Sequence, residues 1–435
     1  MEGSATTKFC ERMQILMIRY PTRLVFIANI ILVLATYSFT PGLVGTEPLP
    51  NQAVAPNKSL ATIPADMTGY GLVFMQVSVN SSPPLWFALD SGASFPFVLD
   101  ARRARALGLR LQDNFTSEGG AGAGSFEIAF AKGVSVNLSS LNFPNQRIAV
   151  FALDALESIG GRKLDGLVGR HLLNRYVVEV DYTEHQVRLY DPQSYVYAGR
   201  GEILPLTMRG DYFFTSMKVE MSGGTTSEGQ FLVDTGGGLV TAVLNSSLMK
   251  SRSQLASSSR PVLDRSLTGL GGKISLLVSR AESFRLGQLV VRNPVVYLSQ
   301  DKGGALASPD FAGLIGGELL QRFKVIFDYS RRRLILEPNS RFTEPYEYDM
   351  SGIRLRAEGD DFHIFKVSQV IENSPAAEAG MREDDIIGAI DGKPAATFTL
   401  DRIYQMMKQE GREYHLSIRR GGEEKAVKLK LRRLV

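Results

Sequence analysis

Residues 85–93 read Leu-Trp-Phe-Ala-Leu-Asp-Ser-Gly-Ala, and residues 229–237 read Gly-Gln-Phe-Leu-Val-Asp-Thr-Gly-Gly. In each stretch an apolar run, typical of a buried β-strand, ends on an aspartate that is followed by a hydroxyl residue and a glycine. The two aspartates, Asp90 and Asp234, are 144 residues apart. Burying an unpaired carboxylate is costly, so a pattern that does it twice indicates that both carboxylates are kept for a function.

Two further motifs recur around these stretches at nearly the same spacing. Asp165-Gly-Leu-Val-Gly169 matches Ala312-Gly-Leu-Ile-Gly316, and Arg175 to Tyr182 matches Arg322 to Tyr329, both at an offset of 147 residues. Patterns repeated at constant spacing over this length predict a duplicated domain of about 140 residues. The alternation of branched and polar residues, interrupted by turn sequences, predicts strands in both copies.

The sequence therefore predicts a mainly β protein with two similar lobes, at residues 67–200 and 201–340. Each lobe is expected to carry a glycine-rich flap that covers a cleft, at residues 117–125 in the first copy and 268–272 in the second.

The chemistry that two such aspartates can perform is that of a carboxylate pair. Lobes related by pseudo-twofold symmetry would bring Asp90 and Asp234 together over one water molecule, where two like charges share a proton. One carboxylate can then accept a proton from the water while the other polarises the carbonyl group of a peptide bond.

The residues after each aspartate are expected to support this pair. Gly92 and Gly236 are expected to allow a tight backbone turn. Ser91 and Thr235 supply hydroxyl groups that can link the two loops.

These motifs resemble those of the pepsin and retropepsin superfamily, and more closely those of bacterial aspartyl proteases that carry a PDZ domain after two such lobes. The resemblance covers about residues 69 to 435. It implies pepsin-like or retropepsin-like β-barrel lobes, with Asp90-Ser-Gly and Asp234-Thr-Gly as the catalytic triplets and the two Gly-Leu-hydrophobic-Gly elements as braces. It implies neither a metal nor a cofactor.

The residues that follow the two triplets depart from the pattern of acid-adapted relatives, in which a hydroxyl residue there donates a hydrogen bond to the carboxylate. Ala93 and Gly237 have no side-chain donor. Because such hydrogen bonds favour the charged form, their loss predicts a pair that keeps its proton to higher pH. The expected pH optimum is mildly acidic to neutral.

The C-terminal segment resembles a PDZ domain, an α/β fold, which is predicted at residues 346–435. The resemblance rests on Asn373-Ser-Pro-Ala-Ala-Glu-Ala-Gly380 and Asp384-Asp-Ile-Ile-Gly-Ala-Ile-Asp-Gly392. By position, the loop that should receive a peptide C-terminus consists of Ser351, Gly352, Ile353 and Arg354, with the ligand added as a strand beside it. The alternative is a PDZ fold used only for packing.

The N-terminal 45 residues are expected to be a targeting segment. A basic stretch precedes the apolar run from Leu24 to Ala35, which fits either a cleaved signal peptide or a retained single membrane anchor. Residues 46–66 are expected to be a linker. The only cysteine, Cys10, precedes the apolar run, so the part beyond it has no disulfide. The predicted location is the periplasm or cell envelope of a bacterium.

Composition and motif content argue against several other functions. The 49 basic and 45 acidic residues nearly balance, which does not indicate a nucleic-acid partner. The four histidines form neither a zinc-binding motif nor a recognisable Ser-His-Asp set. The predicted function is that of a monomeric aspartic endopeptidase acting on peptides or proteins. The alternative is a non-catalytic peptide-binding scaffold of the envelope.

Overall fold

The computed structural model describes residues 57–118, 122, 124–252 and 263–435. These residues belong to one compact unit that is built mainly of β-strands in four sheets. Across these ranges no helix combines the length and hydropathy needed to cross a membrane. The predicted signal peptide or anchor at residues 1–45 lies outside the described residues.

Lobe 1 contains eleven strands and three short helices. The strands are β1 (Ala61–Pro64), β2 (Asp66–Met67), β3 (Val73–Val79), β4 (Leu85–Leu89), β5 (Phe97–Asp100), β6 (Leu111–Glu118), β7 (Ser125–Leu138), β8 (Leu141–Phe151), β9 (Gly166–Val168), β10 (Val177–Asp181) and β11 (Gln186–Tyr190). The helices are α1 (Ala101–Ala106), α2 (Asp154–Gly160) and α3 (Arg170–Arg175).

Lobe 2 repeats this arrangement along the chain. Its strands are β12 (Glu202–Pro205), β13 (Thr207–Arg209), β14 (Tyr212–Glu220), β15 (Thr226–Val233), β16 (Ala242–Leu244), β17 (Leu263–Gly269), β18 (Gly272–Arg280), β19 (Ser283–Leu286), β20 (Leu289–Arg292), β21 (Val295–Ser299), β22 (Gly313–Ile315), β23 (Phe323–Asp328) and β24 (Arg333–Pro338). Its helices are α4 (Ser246–Ser251) and α5 (Gly317–Leu320), with 3₁₀ turns at Ser222–Gly224, Ala305–Ala307 and Tyr329–Arg331.

The sheets of the two lobes have the same strand order. In lobe 1 the order is β3-β4-β9-β5-β8-β7-β6, and in lobe 2 it is β14-β15-β22-β16-β21-β18-β17. The parallel pairs also correspond, since Phe87 faces Gly166 in lobe 1 and Phe231 faces Gly313 in lobe 2. The predicted duplication is therefore confirmed at the level of topology, while the pseudo-twofold symmetry of the lobes stays a prediction.

A third sheet joins the lobes, in the order β1-β11-β10-β23-β24-β12. The hairpins that close the two lobes meet in it, with Val178 of β10 opposite Phe327 of β23. The strand β1 pairs with β11 at one edge. Residues 61–64 are therefore part of this sheet, and the prediction of a linker as far as residue 66 is wrong for this stretch.

The C-terminal domain is a separate sheet, with β25 at one edge, and two helices. Its elements are β25 (Ile353–Glu358), β26 (Ile364–Val370), α6 (Pro375–Glu378), β27 (Ile386–Ile390), β28 (Lys393–Pro394), α7 (Leu400–Met406), β29 (Glu413–Arg420) and β30 (Glu423–Lys430), with a 3₁₀ turn at Ala395–Thr397. Helix α6 begins as expected from its sequence, because Ser374 caps it by accepting the Ala377 N–H and Pro375 occupies the first turn.

The ends of this domain are packed into the lobes. Tyr346, Tyr348 and Val435 are buried in the same apolar cluster as the lobe residues. The Arg280 guanidinium donates to the carbonyl oxygens of Tyr346 (2.9 Å) and Val435 (3.1 Å). The domain has an apolar core of its own, which includes Met350 and Phe365, and only its two ends pack into the core of the lobes. The predicted boundary at residue 346 stays a prediction.

Candidate active site

Asp90 and Asp234 each stand at the end of a central strand, β4 and β15. The backbone N–H of Asp90 donates to the carbonyl oxygen of Val168 in β9 (2.9 Å), and that of Asp234 donates to Ile315 in β22 (2.9 Å). The two Gly-Leu-hydrophobic-Gly elements thus fix the point at which each aspartate loop leaves its strand, which fits the bracing that the resemblance implied.

The two loops are linked by hydroxyl groups in a reciprocal arrangement. The Ser91 N–H donates to Thr235 Oγ1 and the Thr235 N–H donates to Ser91 Oγ, both at 2.9 Å. Each hydroxyl then donates across to the opposite strand, Ser91 to the carbonyl oxygen of Val233 (2.7 Å) and Thr235 to that of Leu89 (2.8 Å). Both side chains are buried. This network fixes the loops relative to each other and confirms the link predicted for the hydroxyl groups.

The two carboxyl groups face each other, as the surroundings of Gly92 and Gly236 demonstrate. A Cβ atom on Gly92 would lie 2.7 Å from Oδ1 of Asp234, and one on Gly236 would lie 2.6 Å from Oδ1 of Asp90. Neither glycine has a backbone in the left-handed region. Both glycines do lie in tight turns, as expected, because the N–H groups of Ala93 and Gly237 donate to the carbonyl oxygens of Asp90 and Asp234 (both 3.3 Å). The specific need for glycine comes from the close approach of each to the opposite carboxyl group.

Each carboxyl group also accepts backbone hydrogen bonds from its own loop. Gly92 N–H donates to Asp90 Oδ1 (2.8 Å), while Gly236 N–H (2.9 Å) and Gly237 N–H (3.1 Å) both donate to Asp234 Oδ1. Such bonds favour the ionised form. Asp234 thus accepts one more backbone hydrogen bond than Asp90 by geometry, and the Ala93 N–H also lowers the pKa of Asp90.

Burial and mutual repulsion favour a proton on the pair. Burial, followed by the negative charge of Asp234, raises the pKa of Asp90 well above that of an ordinary carboxyl group. Burial also raises the pKa of Asp234, although the N–H groups of Gly236 and Gly237 and a hydrogen bond with Asp90 oppose this. The arrangement fits two carboxyl groups that share one proton.

A cleft of about 370 Å³ lies above the pair and is lined by both lobes. Its walls are mostly apolar, with Leu72 and Phe74 from lobe 1 and Phe214 and Phe311 from lobe 2. Arg162 is the one basic residue among the lining residues that the structure describes. The cleft therefore suits an extended chain with apolar side chains near the carboxyl groups.

Both predicted flaps are hairpins, and their tips meet. Strands β6 and β7 form the first flap and β17 and β18 the second. The Gly124 N–H donates to the carbonyl oxygen of Gly271 (2.7 Å). Residues 119–121 and 123 of the first tip lie outside the described part. The sequence placed each flap, but it gave no signal that the two would touch.

The remaining titratable residues offer no second reaction centre within the described ranges. No group of three or more His, Cys, Asp or Glu residues there could hold a metal ion. His171 is enclosed by the rings of Phe97 (5.1 Å) and Phe143 (4.9 Å), and burial followed by the charge of Arg175 lowers its pKa. It has no hydrogen bond to a serine or an aspartate among the described residues, and it lies half-buried between these rings.

The predicted peptide-binding loop of the C-terminal domain is closed. Its residues Ser351, Gly352, Ile353 and Arg354 are all buried. The N–H groups of Ser351 (3.1 Å) and Gly352 (2.8 Å) already donate to the carboxylate of Asp349. The prediction that these residues receive a peptide C-terminus is therefore not met in this conformation.

Two segments of the chain match known protein families. Residues 75–172, which include Asp90 and the Gly166–Gly169 element, match the family described as aspartyl protease, and residues 366–420 match the PDZ domain. The chain contains an aspartyl protease domain and a PDZ domain.

Several proteins are similar to part of the chain. A probable CtpA-like serine protease of Staphylococcus haemolyticus is 25% identical over 135 residues, which is 31% of this chain and 25% of that protein. A protein of the same description from Staphylococcus aureus is 33% identical over 98 residues, 22% of this chain and 20% of that protein. The chain thus spans a quarter or less of the length of these relatives.

Among solved structures, the aspartic proteinase from Irpex lacteus aligns with 65% of this chain and 98% of its own, with a TM-score of 0.41 and 17% identity.

Removing the Thr235 hydroxyl, which links the two lobes, should strongly destabilise the fold. In Thr235→Val, the Ser91 N–H and the Leu89 carbonyl oxygen each lose a buried partner, and each loss costs about 1–3 kcal/mol. Urea unfolding should give a clear drop in the free energy of unfolding, whereas Thr235→Ser should retain most of it. The matched control is Thr215→Val, in which one carbonyl oxygen, that of Pro205, loses a donor. Equal destabilisation in both valine variants would contradict the linking role of Thr235.

Proposed function

We propose that this protein is an aspartic endopeptidase in which Asp90 and Asp234 activate a water molecule that attacks a peptide bond. The observation that carries the proposal is the mutual facing of the two carboxyl groups on the floor of a two-lobed cleft, fixed by the reciprocal hydrogen bonds of Ser91 and Thr235. A binding protein has no physical need for two facing, buried carboxyl groups, since their mutual repulsion costs stability.

The two aspartates have different roles at the start of the reaction. Asp234, whose carboxylate accepts two backbone N–H groups, is the ionised member and takes a proton from the water. Asp90 holds the shared proton and donates it in a hydrogen bond to the carbonyl oxygen of the scissile bond. The oxygen of the water then bonds to the carbonyl carbon, giving a tetrahedral intermediate, and the proton taken by Asp234 passes to the leaving amine as the C–N bond breaks.

The two flaps close the cleft over the substrate. Strand β17 and the turn after it contribute Leu267 to Leu270 to the lining. A cover of this kind excludes bulk water and orients the substrate backbone, which raises the fraction of productive encounters. Because the tips of the two flaps are hydrogen-bonded to each other, the substrate enters when that contact opens.

The class of peptidase is the point on which the similar proteins differ. The staphylococcal relatives are named serine proteases, whereas the family matched by residues 75–172 is aspartyl protease. The enclosure of His171 by aromatic rings supports the aspartic type, because a serine nucleophile needs a general base beside it. Export to a bacterial envelope stays a prediction based on residues 1–45, and peptides or proteins are the proposed substrates.

The proposal is tested by incubating the protein with an unstructured protein substrate and three classes of inhibitor. Cleavage should persist in EDTA and in a serine-directed phosphonylating reagent, and a statine-type compound should abolish it. Loss of cleavage with the phosphonylating reagent would indicate a serine enzyme, and loss with EDTA a metal enzyme. Binding of the substrate without any cleavage would favour the scaffold alternative.

The pH profile should have its optimum between mildly acidic and neutral pH. The active pair carries one proton, so activity falls at low pH when the ionised carboxylate is protonated and at high pH when the shared proton is lost. Burial raises the pKa of both aspartates. Both limbs of the pH profile should therefore lie at higher pH than they would for ordinary carboxyl groups.

A hydroxyl group placed at residue 93 should shift this profile. Ala93→Thr adds a donor beside the Asp90 loop, which favours the charged form and should move the acidic limb of kcat/KM to lower pH. Ala426→Thr, an exposed residue of β30, is the matched control and should leave the limb in place. An optimum already at about pH 2 to 3 in the unmodified protein would contradict this account of the pKa values.

A further inference from the structure

The edge of the PDZ sheet that faces the predicted peptide groove is already occupied. Strand β25 has β26 on one side, and a bound peptide would pair with its other side. On that side the Tyr404 hydroxyl accepts the Leu355 N–H and donates to the Leu355 carbonyl oxygen, both at 3.2 Å. Two residues further along β25, the Ala357 carbonyl oxygen accepts a hydrogen bond from Ser158 Oγ (3.0 Å). Side chains therefore take three of the backbone groups that a peptide strand would use.

The two side chains come from different parts of the molecule. Tyr404 lies on α7, which forms the opposite wall of the groove, whereas Ser158 lies on α2 of the aspartyl protease part. The end of α2 also packs on α7, since a Cβ atom on Gly161 would lie 2.5 Å from Cβ of Leu400. Helix α2 thus touches both walls of the groove at its mouth.

The carboxylate loop at the end of the same groove is filled in a corresponding way. Asp349 is buried, and its carboxylate accepts the N–H groups of Ser351 and Gly352 together with the Ser351 hydroxyl (2.9 Å). Gly352 has a φ of +78°, and a Cβ atom there would lie 2.2 Å from Cβ of Ser374, so the loop is tightly packed. An internal carboxylate occupies the place that the terminal carboxylate of a ligand would take.

We propose that the PDZ groove is an internal docking surface for helix α2, and that docking of α2 and binding of a C-terminal peptide exclude each other. The Ser158–Ala357 and Tyr404–Leu355 hydrogen bonds are the contacts that a peptide strand must replace. A segment with a free carboxyl end is the ligand that the groove accepts once α2 has moved away and the ligand carboxylate has displaced that of Asp349.

This exclusion connects the groove to the cleft, a step that rests on the proposed function. Leu156, Ile159 and Gly160 of α2 line the cleft. The PDZ domain also contacts two other segments near the cleft. Gln369 Oε1 accepts the N–H of Ser266 in the flap strand β17 (3.3 Å), and Asp401 Oδ2 accepts the Gly69 N–H (3.2 Å). A peptide that displaces α2 therefore loosens a wall of the cleft and the support of one flap.

The inference is tested by peptide binding to the full chain carrying Asp234→Asn, so that binding is measured without cleavage and does not depend on the protein being a peptidase. The probe is a fluorescent pool of decapeptides ending in a free Val, Leu or Ala, and its C-terminally amidated twin is the reference. The variants are Ser158→Ala, Tyr404→Phe and the pair together. Ser227→Ala and Tyr346→Phe are matched controls, because their buried hydroxyl groups have no hydrogen-bond partner in the described residues.

We expect the double variant to bind the free-carboxyl pool at least about tenfold more tightly than the parent by fluorescence anisotropy, with the single variants between them. The controls should bind like the parent, and the amidated pool more weakly than the free one. Amide hydrogen exchange in residues 154–160 should accelerate when the peptide is bound.

Either of two results would overturn the inference: a double variant that binds no more tightly than the controls, or a parent that already binds as tightly as the double variant. Because both readouts are made in a chain without the native carboxyl pair, their outcome is separate from that of the peptidase proposal.

Discussion

Asp90→Asn and Asp234→Asn should each reduce kcat for peptide hydrolysis by roughly 10³-fold or more, because each removes one of the two proton-transfer groups of a single step. The side chains stay nearly the same size, so the fold is retained. The melting temperature should be unchanged or higher, since burial makes the ionised form of both carboxyl groups unfavourable at neutral pH.

The matched control for these variants is Asp301→Asn. Asp301 is also a buried carboxyl group whose pKa burial raises, and its Oδ1 accepts the Ser275 N–H (3.0 Å), but it does not line the cleft. Its asparagine variant should keep its activity. A dyad variant that retained a tenth of the unmodified turnover would contradict the assignment.

Removal of residues 346–435 should destabilise the aspartyl protease part rather than release it intact. The deletion exposes the apolar surface covered by Tyr346, Tyr348 and Val435, and it takes two acceptors from Arg280. Re-exposing a large apolar side chain costs about 1.5–3 kcal/mol, so the melting temperature should fall by roughly 10 °C or more.

Calorimetry of the full chain distinguishes coupled unfolding of the lobes and the PDZ domain from independent unfolding. Coupling through the packed ends of the PDZ domain predicts one unfolding transition, and Tyr414→Ala, in the PDZ core, should lower the temperature of that single transition. If the truncated protein keeps its melting temperature within a few degrees, or if Tyr414→Ala separates two transitions, the PDZ domain is independent of the lobes.

The sequence predicted the parts of this protein that depend on local pattern. The residues themselves predicted the strands before Asp90 and Asp234 and the hydroxyl groups that link the two loops. The repeated motifs predicted that the two lobes share one strand order. Motif spacing also placed the flaps. The tight turns at Gly92 and Gly236 were also predicted, but the close approach of each glycine to a carboxyl group of the other lobe was not.

The contacts between distant parts of the chain could not be read from the sequence. Pairing of β10 with β23 joins two hairpins that each look complete alone. The contact of Ser158 with Ala357 spans 199 residues, and no pattern in either segment indicates the other. Nor does the sequence indicate that the Asp349 side chain binds the loop of Ser351 and Gly352, which was predicted to receive a peptide C-terminus.

The most direct test of the central claim is calorimetric titration of a statine-containing peptide into the unmodified protein and into Asp90→Asn and Asp234→Asn. The statine hydroxyl takes the place of the attacking water between the two carboxyl groups, so its affinity measures the pair itself. We expect tight binding to the unmodified protein, weakened at least about a hundredfold in either asparagine variant. Equal affinity in all three proteins would mean that Asp90 and Asp234 do not form the catalytic pair.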